Sequence, residues 1–297
     1  MNWPILVLLG TAVGVVSGLF GVGGGFLMAP ILIFLGIPPT VAVASQASHV
    51  VASSTSGVIR YSGQKAVDFK LGGIMAAGGA IGALAGVELF RYLRLLGQAD
   101  LVVALSYLMF LGAIGTLMLN ESLTEIIRRR RGETAPHKDR RRPLFLYGLP
   151  FRMRFPKSGL YISAIPPLAL GIFAGILSAI MGVGGGFVLV PAMLYVLRMR
   201  AGAVVGTSLF QIIITTAITT ILQAGRNQTV DIVLSTILLL GGVVGAQLGA
   251  RFASRFRADT LRALLGLIVL GVGVYMGLEL FVQPHDIFML APGIADK

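Results

Sequence analysis

The sequence predicts an all-α polytopic membrane protein made of two homologous halves, and three observations predict it. Hydrophobic residues make up 56% of the 297 and charged residues only 12%, with a mean hydropathy of +0.88. A soluble domain carries about 25% charged residues. Apolar segments recur at roughly 4–36, 40–59, 69–90, 98–119, 160–197, 202–223, 231–250 and 261–283, most of them near the ~20 residues that cross a bilayer as a helix. The hexapeptide Gly-Val-Gly-Gly-Gly-Phe occurs at 21–26 and again at 182–187, each time with a proline shortly after, Pro30 or Pro191.

The first segment is too long for one span and too short for two. It holds Gly21, Gly23, Gly24 and Gly25, and each glycine costs a helix interior about 1 kcal/mol against alanine. In a bilayer the freed backbone groups also need partners from protein or trapped water. The segment is therefore expected to break at its glycines and to continue as a short helix, Phe26–Leu35. Met1–Leu35 has no basic n-region or clear cleavage site and is expected to be mature chain.

The second segment is unusually polar, with Ser45, Gln46, Ser48, His49, Ser53, Ser54, Thr55 and Ser56. Such groups at membrane depth must face protein or water. The third begins after Asp68, an expected N-cap. It carries Gly78, Gly82 and Gly86 at four-residue spacing, a small-residue face for close helix contact. The fourth, 98–119, closes a first membrane repeat of residues 1–119.

Residues 120–158 form a basic linker with Arg128–Arg131, Lys138, Arg140–Arg142, Arg152, Arg154 and Lys157. The excess of Lys and Arg places it in the cytoplasm. Contact with anionic lipid is the alternative, with Phe145, Tyr147, Phe151 and Phe155 in the interface.

Residues 159–297 repeat the first pattern. Gly182, Gly184, Gly185 and Gly186 break the fifth segment ahead of an expected helix Phe187–Leu197. Ser178 matches Ser17. The polar sixth segment sets Thr207, Ser208 and Gln211 against Ser45, Gln46 and His49, and continues with Thr215, Thr216, Thr219 and Gln223. Asp231 matches Asp68, and Gly241, Gly245 and Gly249 match the first glycine face. Repeated order and spacing indicate a duplication.

The relative orientation of the halves follows from charge. If each long segment crosses once, the halves are parallel, and Arg251, Arg255, Arg257 and Arg262 fall outside. If each long segment is a re-entrant hairpin, the halves are inverted, and only Arg91, Arg94 and Arg226 lie outside between the segments. The positive-inside rule favours the inverted arrangement, with six full spans and two re-entrant hairpins.

Gly21, Gly23, Gly24 and Gly25, with Gly182, Gly184, Gly185 and Gly186, then form turns deep in the membrane ahead of short helices. Helix N-termini and glycine-rich nests attract anions. Ser45, Gln46, His49, Thr207, Ser208 and Gln211 supply side chains for the same site, and His49 is a candidate anion ligand or proton carrier. Close helix packing remains the alternative role for any one of these glycines, and interhelical hydrogen bonding for the hydroxyls. The net charge of +12 is spread between apolar segments, which argues for topology signals and against nucleic acid. Without cysteine there is no thiolate metal site. No cofactor, metal or catalytic residue is expected. No Lys-Ser/Thr follows the glycines, as a nucleotide-phosphate loop would require.

With these residues quoted, the chain resembles the TauE/SafE family of membrane permeases, also called the sulfite exporter or toluene-sulfonate-uptake family. The likeness covers both halves and rests on the doubled Gly-Val-Gly-Gly-Gly-Phe…Pro and on Gly206-Thr-Ser-Leu-Phe210. The first half has Ala44-Ser-Gln-Ala47 where the pattern has Thr-Ser-Leu. The resemblance implies export or uptake of sulfite, sulfoacetate or another organosulfonate, whereas the spacing by itself supports only an anion. The expected protein is a secondary transporter in a bacterial inner membrane, in contact with lipid, with homo-oligomerisation open. An anion channel and an intramembrane enzyme are the alternatives.

Overall fold

The computed structural model describes residues 3–20, 23–63, 66–130, 150–199, 201–227, 230–253 and 258–281. Ten α-helices account for most of them: α1 Trp3–Phe20, α2 Gly25–Phe34, α3 Pro39–Gly63, α4 Phe69–Leu95, α5 Ala99–Arg130, α6 Ile165–Met181, α7 Gly186–Tyr195, α8 Ala201–Leu222, α9 Ile232–Ala253 and α10 Ala258–Phe281. A π-helical turn, Gln223–Asn227, extends α8. A two-stranded antiparallel hairpin, β1 Arg152–Phe155 and β2 Leu160–Ser163, pairs Phe155 with Leu160.

The helices begin and end where their sequence dictates. Asp68 caps α4 by accepting the Leu71 N–H at 3.2 Å, and Asp231 does the same for Leu234 at 3.0 Å at the head of α9. Proline occupies the first turn of α6, where its missing N–H costs nothing. Gly24 and Gly185 cap α2 and α7 in the left-handed region, at φ 70° and 72°, a conformation that costs any other residue roughly 1–2 kcal/mol.

Large apolar side chains face outward along the outer helices, including Leu101, Leu105 and Met109 on α5 and Leu264, Leu267 and Leu278 on α10. Polar side chains are buried instead: Ser45, Gln46, His49, Ser54, Thr207, Ser208, Gln211, Thr215 and Thr216 are inaccessible. A polar interior under an apolar exterior is the arrangement a bilayer imposes. Among the described residues, five helices are long and apolar enough to cross one: Trp3–Phe20, Phe69–Leu95, Ala99–Thr124, Gly202–Asn227 and Ile232–Phe252.

Several expectations need correction. The stretch 160–163 is strand, not the start of a helix, because it pairs with Arg152–Phe155. Helix α5 runs on to Arg130, past the expected end of the fourth segment. Helix α3 is 25 residues long, yet its serines and His49 keep it outside the set of apolar spans. Helix α1, at 18 residues, reaches the length of an apolar span by itself, although α2 folds back to the end where α1 starts. Phe155 is buried beneath the Lys70 ammonium rather than placed at an interface. Phe145, Tyr147 and the basic stretch 131–149 lie outside the described residues.

The glycine faces decide how the halves meet. On α9, Gly241, Gly245 and Gly249 lie against the backbone of α1 at Val7, Thr11 and Val15. On α4, Gly78 and Gly82 lie against α6 at Leu168 and Ile172, and Gly86 against Ile176. A Cβ at any of these would meet backbone. Each half thus lends its first helix to the small-residue face of the other.

Contacts also fix which ends come together. Arg94 Nη1 donates to the Asn227 carbonyl at 2.6 Å, and Arg226 pairs with Glu88. The Thr40 N–H reaches Asp100 Oδ1 at 3.2 Å. The end of α4, the end of α8 and the starts of α3, α5 and α9 therefore share one end of the bundle. Helix α1 runs alongside α9 in the same direction and starts there, and α2 ends there, a few residues before Pro39. At the opposite end Thr207 meets Asp68, and Ser158 donates its N–H and hydroxyl to Asp68 Oδ2 at 3.0 and 2.7 Å. Helix α6 starts at that end beside α4, and α7 returns to it.

Candidate functional site

The two glycine turns meet in the middle of the bundle. Gly23 stands at φ 86° and Gly184 at φ 71°, and both face Val50 of α3 and Ile212 of α8. Gly25 lies against Val183 and the Gly182 carbonyl. Just beyond the turns, the Phe26 and Phe187 rings are 6.4 Å apart. Gly24 packs back onto Ser17 and Val13 of α1, and Gly185 onto Ala174 of α6, so the chain doubles back at each turn. The first N–H groups of a helix lack intrahelical acceptors, and here two helix starts converge.

Helices α3 and α8 line the turns with one polar stripe each. The stripe on α3 is Gln46, His49, Val50, Ser53 and Ser54, and on α8 it is Ser208, Gln211, Ile212, Thr215 and Thr216, both at helical spacing. A Cβ on Gly23 would lie 3.2 Å from Ser54 Oγ, and one on Gly184 would lie 2.5 Å from Thr216 Oγ1. Ser54 Oγ and Thr216 Oγ1 are fully buried and have no hydrogen-bond partner among the described residues. They occupy equivalent positions in the two halves.

The other sequence-predicted residues divide by their partners. Gln46 Nε2 donates to the Met181 carbonyl at 2.8 Å and to the Tyr107 hydroxyl at 3.1 Å, and Tyr107 donates to Met181 at 2.6 Å. Among the described residues Gln46 Oε1 has no partner. His49 Nε2 lies 3.3 Å from the Gly10 carbonyl with the ring seated against Gly242, and Nδ1 is unpartnered. Gln211 Nε2 donates to Thr215 Oγ1 at 2.7 Å in the matching notch against Gly79, with Oε1 unpartnered. Ser45 and Thr207 hold the heads of α9 and α4, accepting the N–H of Asp231 at 2.9 Å and of Asp68 at 3.0 Å. Ser208 donates to its own helix at Val205. Gly186 opens α7. Gly21 lies outside the described residues.

The family model for the sulfite exporter TauE/SafE matches residues 6–276. The chain belongs to the TauE/SafE family. A probable membrane transporter protein of Bacillus subtilis, YjnA, is 30% identical to this TauE/SafE chain over 275 residues, covering 91% of it and 97% of the relative. A probable membrane transporter protein of Xylella fastidiosa is 30% identical over 278 residues, covering 92% and 94%. A sulfite exporter TauE/SafE family protein 3 of Arabidopsis thaliana is 33% identical over 107 residues, covering 35% of the chain and 22% of that protein. No solved structure shows a significant match to the chain. This TauE/SafE member is thus a multi-pass protein of a membrane-transporter family.

The sequence places Ser45 and Thr207 in the site and leaves Ser54 and Thr216 among the other polar residues of their segments, although both pairs are equivalent by position. The structure separates them by neighbour: helical phase sets Ser54 and Thr216 against the turns, and Ser45 and Thr207 against the heads of α9 and α4. Tyr107 was not anticipated. A phenol within an apolar span usually has a hydrogen-bond partner when buried, and that was the available signal.

Proposed function

We propose that this protein is a secondary transporter that carries a small sulfur-containing oxyanion across the membrane by alternating access, with sulfite, sulfoacetate or another organosulfonate as cargo. The observation that carries the reading is the pair of buried, unpartnered hydroxyls, Ser54 and Thr216, set against the glycine turns at the heads of α2 and α7. A buried hydroxyl without a partner costs about 1–3 kcal/mol, a cost that a bound anion would relieve. Helix N-termini add a favourable field for negative charge. Gln46, His49 and Gln211 complete the wall of the site. Ser45, Thr207 and Ser208 serve it by holding the helices.

The halves act in this reading as inverted repeats, 1–119 and 159–297, rocking about the site. Three relations support it: α1 starts and α2 ends at one end of the bundle, α6 starts and α7 ends at the other, and Arg94 and Arg226 share an end. The basic linker would lie in the cytoplasm beneath a bacterial inner membrane. The sequence contains no ATP-binding motif, so an ion or substrate gradient would supply the energy.

The test is equilibrium binding of methanesulfonate and sulfite to purified protein, followed by counterflow in liposomes. Ser54→Ala with Thr216→Val should weaken binding about tenfold for each hydroxyl lost, since a hydrogen bond to a charged group contributes roughly 1.5–3 kcal/mol, while thermal stability holds or rises. Unchanged affinity in the double variant would sink the site. Saturable counterflow supports a carrier, and unitary conductance would replace it with a channel.

A further inference from the structure

We infer that the site takes its anion singly charged, so that sulfite is bound as hydrogensulfite and excluded as the dianion, and that among the proposed cargoes a monoanionic organosulfonate is preferred to sulfoacetate, whose carboxylate adds a second charge. The inference rests on the anion reading above and adds the charge state. It stands on what surrounds the turns. Among the described residues the buried ionisable side chains are His49, Tyr107 and Asp68, and none is a fixed cation. Asp68 sits at the head of α4, engaged by Ser158 and Leu71.

The remaining charges on the elements packed round the turns lie toward their ends: Arg60 on α3, Lys70, Glu88, Arg91 and Arg94 on α4, Asp100, Glu121, Glu125 and Arg128–Arg130 on α5, Arg226 after α8, Asp231 just before α9 and Arg251 on it, and Asp259, Arg262 and Glu279 on α10. Helices α1, α2 and α6 have no titratable side chain, and α7 has only Tyr195 at its end. The cost of desolvating an ion grows with the square of its charge and must be offset by a paired cation. Hydroxyls and helix termini can hold one charge in such a place, but a second has nothing to meet it.

Two unpartnered atoms sharpen the argument. The Met181 carbonyl can only accept, so Gln46 must present its Nε2 there, and its Oε1 is a free lone pair. The Gly10 carbonyl can only accept, so His49 carries its proton on Nε2, and Nδ1 is a second lone pair. A lone pair that borders the anion repels added negative charge and accepts an O–H, and the Gln46 amide lies beside Gly182 at the second turn. Hydrogensulfite offers that proton; the sulfite dianion, formed by its loss to solvent, offers none.

The experiment measures binding of sulfite and methanesulfonate across the pH range in which hydrogensulfite loses its proton, with sulfate as a permanent dianion. Methanesulfonate affinity should stay flat. Sulfite affinity should fall about tenfold for each pH unit above that proton loss, because only the competent fraction binds, and sulfate should bind more weakly than methanesulfonate throughout. The sulfite slope should persist in His49→Gln, which gives the first half the residue the second already has. Flat sulfite binding, or sulfate as tight as methanesulfonate, would overturn the inference. So would a parallel fall of both anions that vanishes in His49→Gln, which would assign the proton to the protein. If methanesulfonate also fails to bind, the anion reading itself falls.

Discussion

The Thr207 hydroxyl accepts the backbone N–H of Asp68 at 3.0 Å, and Ser45 does the same for Asp231 at 2.9 Å. Each bond ties the polar helix of one half to the head of the small-residue helix of the other. Together they fix the phase in which α3 and α8 present their stripes to the turns.

Thr207→Val and Ser45→Ala should therefore act first on stability. Each strands an N–H at a helix head, buried for Asp68 and half-buried for Asp231, at a cost of about 1–3 kcal/mol. Thermal unfolding in detergent should show both variants less stable than wild type, with the pair roughly additive. A loss of anion affinity at full stability would instead place these hydroxyls on the ligand.

Gly23→Ala and Gly184→Ala should lower anion affinity while the protein still inserts. Both positions have positive φ, which costs a β-carbon roughly 1–2 kcal/mol, and the new methyl would crowd Ser54 or Thr216. Gly24→Asp and Gly185→Asp should be worse on two counts: a negative charge beside the anion, and a side chain driven into Ser17 or Ala174. Binding measured on variants that purify as well as wild type checks this, and unchanged affinity at Gly23 and Gly184 would reduce the turns to packing.

Gly82→Ala and Gly245→Ala should act through assembly. The added methyl meets the Ile172 or Thr11 carbonyl, and prising the helices apart costs about 1–3 kcal/mol or more. The expected outcome is a lower yield of folded protein and a lower unfolding temperature, with near-normal affinity in the fraction that survives.

A cysteine added after Lys297 should react with an impermeant reagent in intact cells, because the proposed inverted halves with a cytoplasmic linker would place that end outside. Labelling only after permeabilisation would return the parallel arrangement.

The sequence by itself determined the class, the duplication and the breaks. Those are properties of composition and of residues with special backbones: a chain this apolar has to span a bilayer, and four glycines in five residues cannot continue a helix. The short helices after the glycines, the N-caps at Asp68 and Asp231, and the glycine faces of α4 and α9 were legible for the same reason, since each is a local preference. Only the tertiary structure decided that α1 lies on α9 and α6 on α4, because GxxxG spacing states that a helix will approach closely but not which neighbour it will approach. It also decided which hydroxyls are occupied. Ser45 and Ser54 are the same residue type on one helix, and what separates them is the head of α9 beside one and the Gly23 turn beside the other. Those neighbours come from remote parts of the chain, so no local pattern records them.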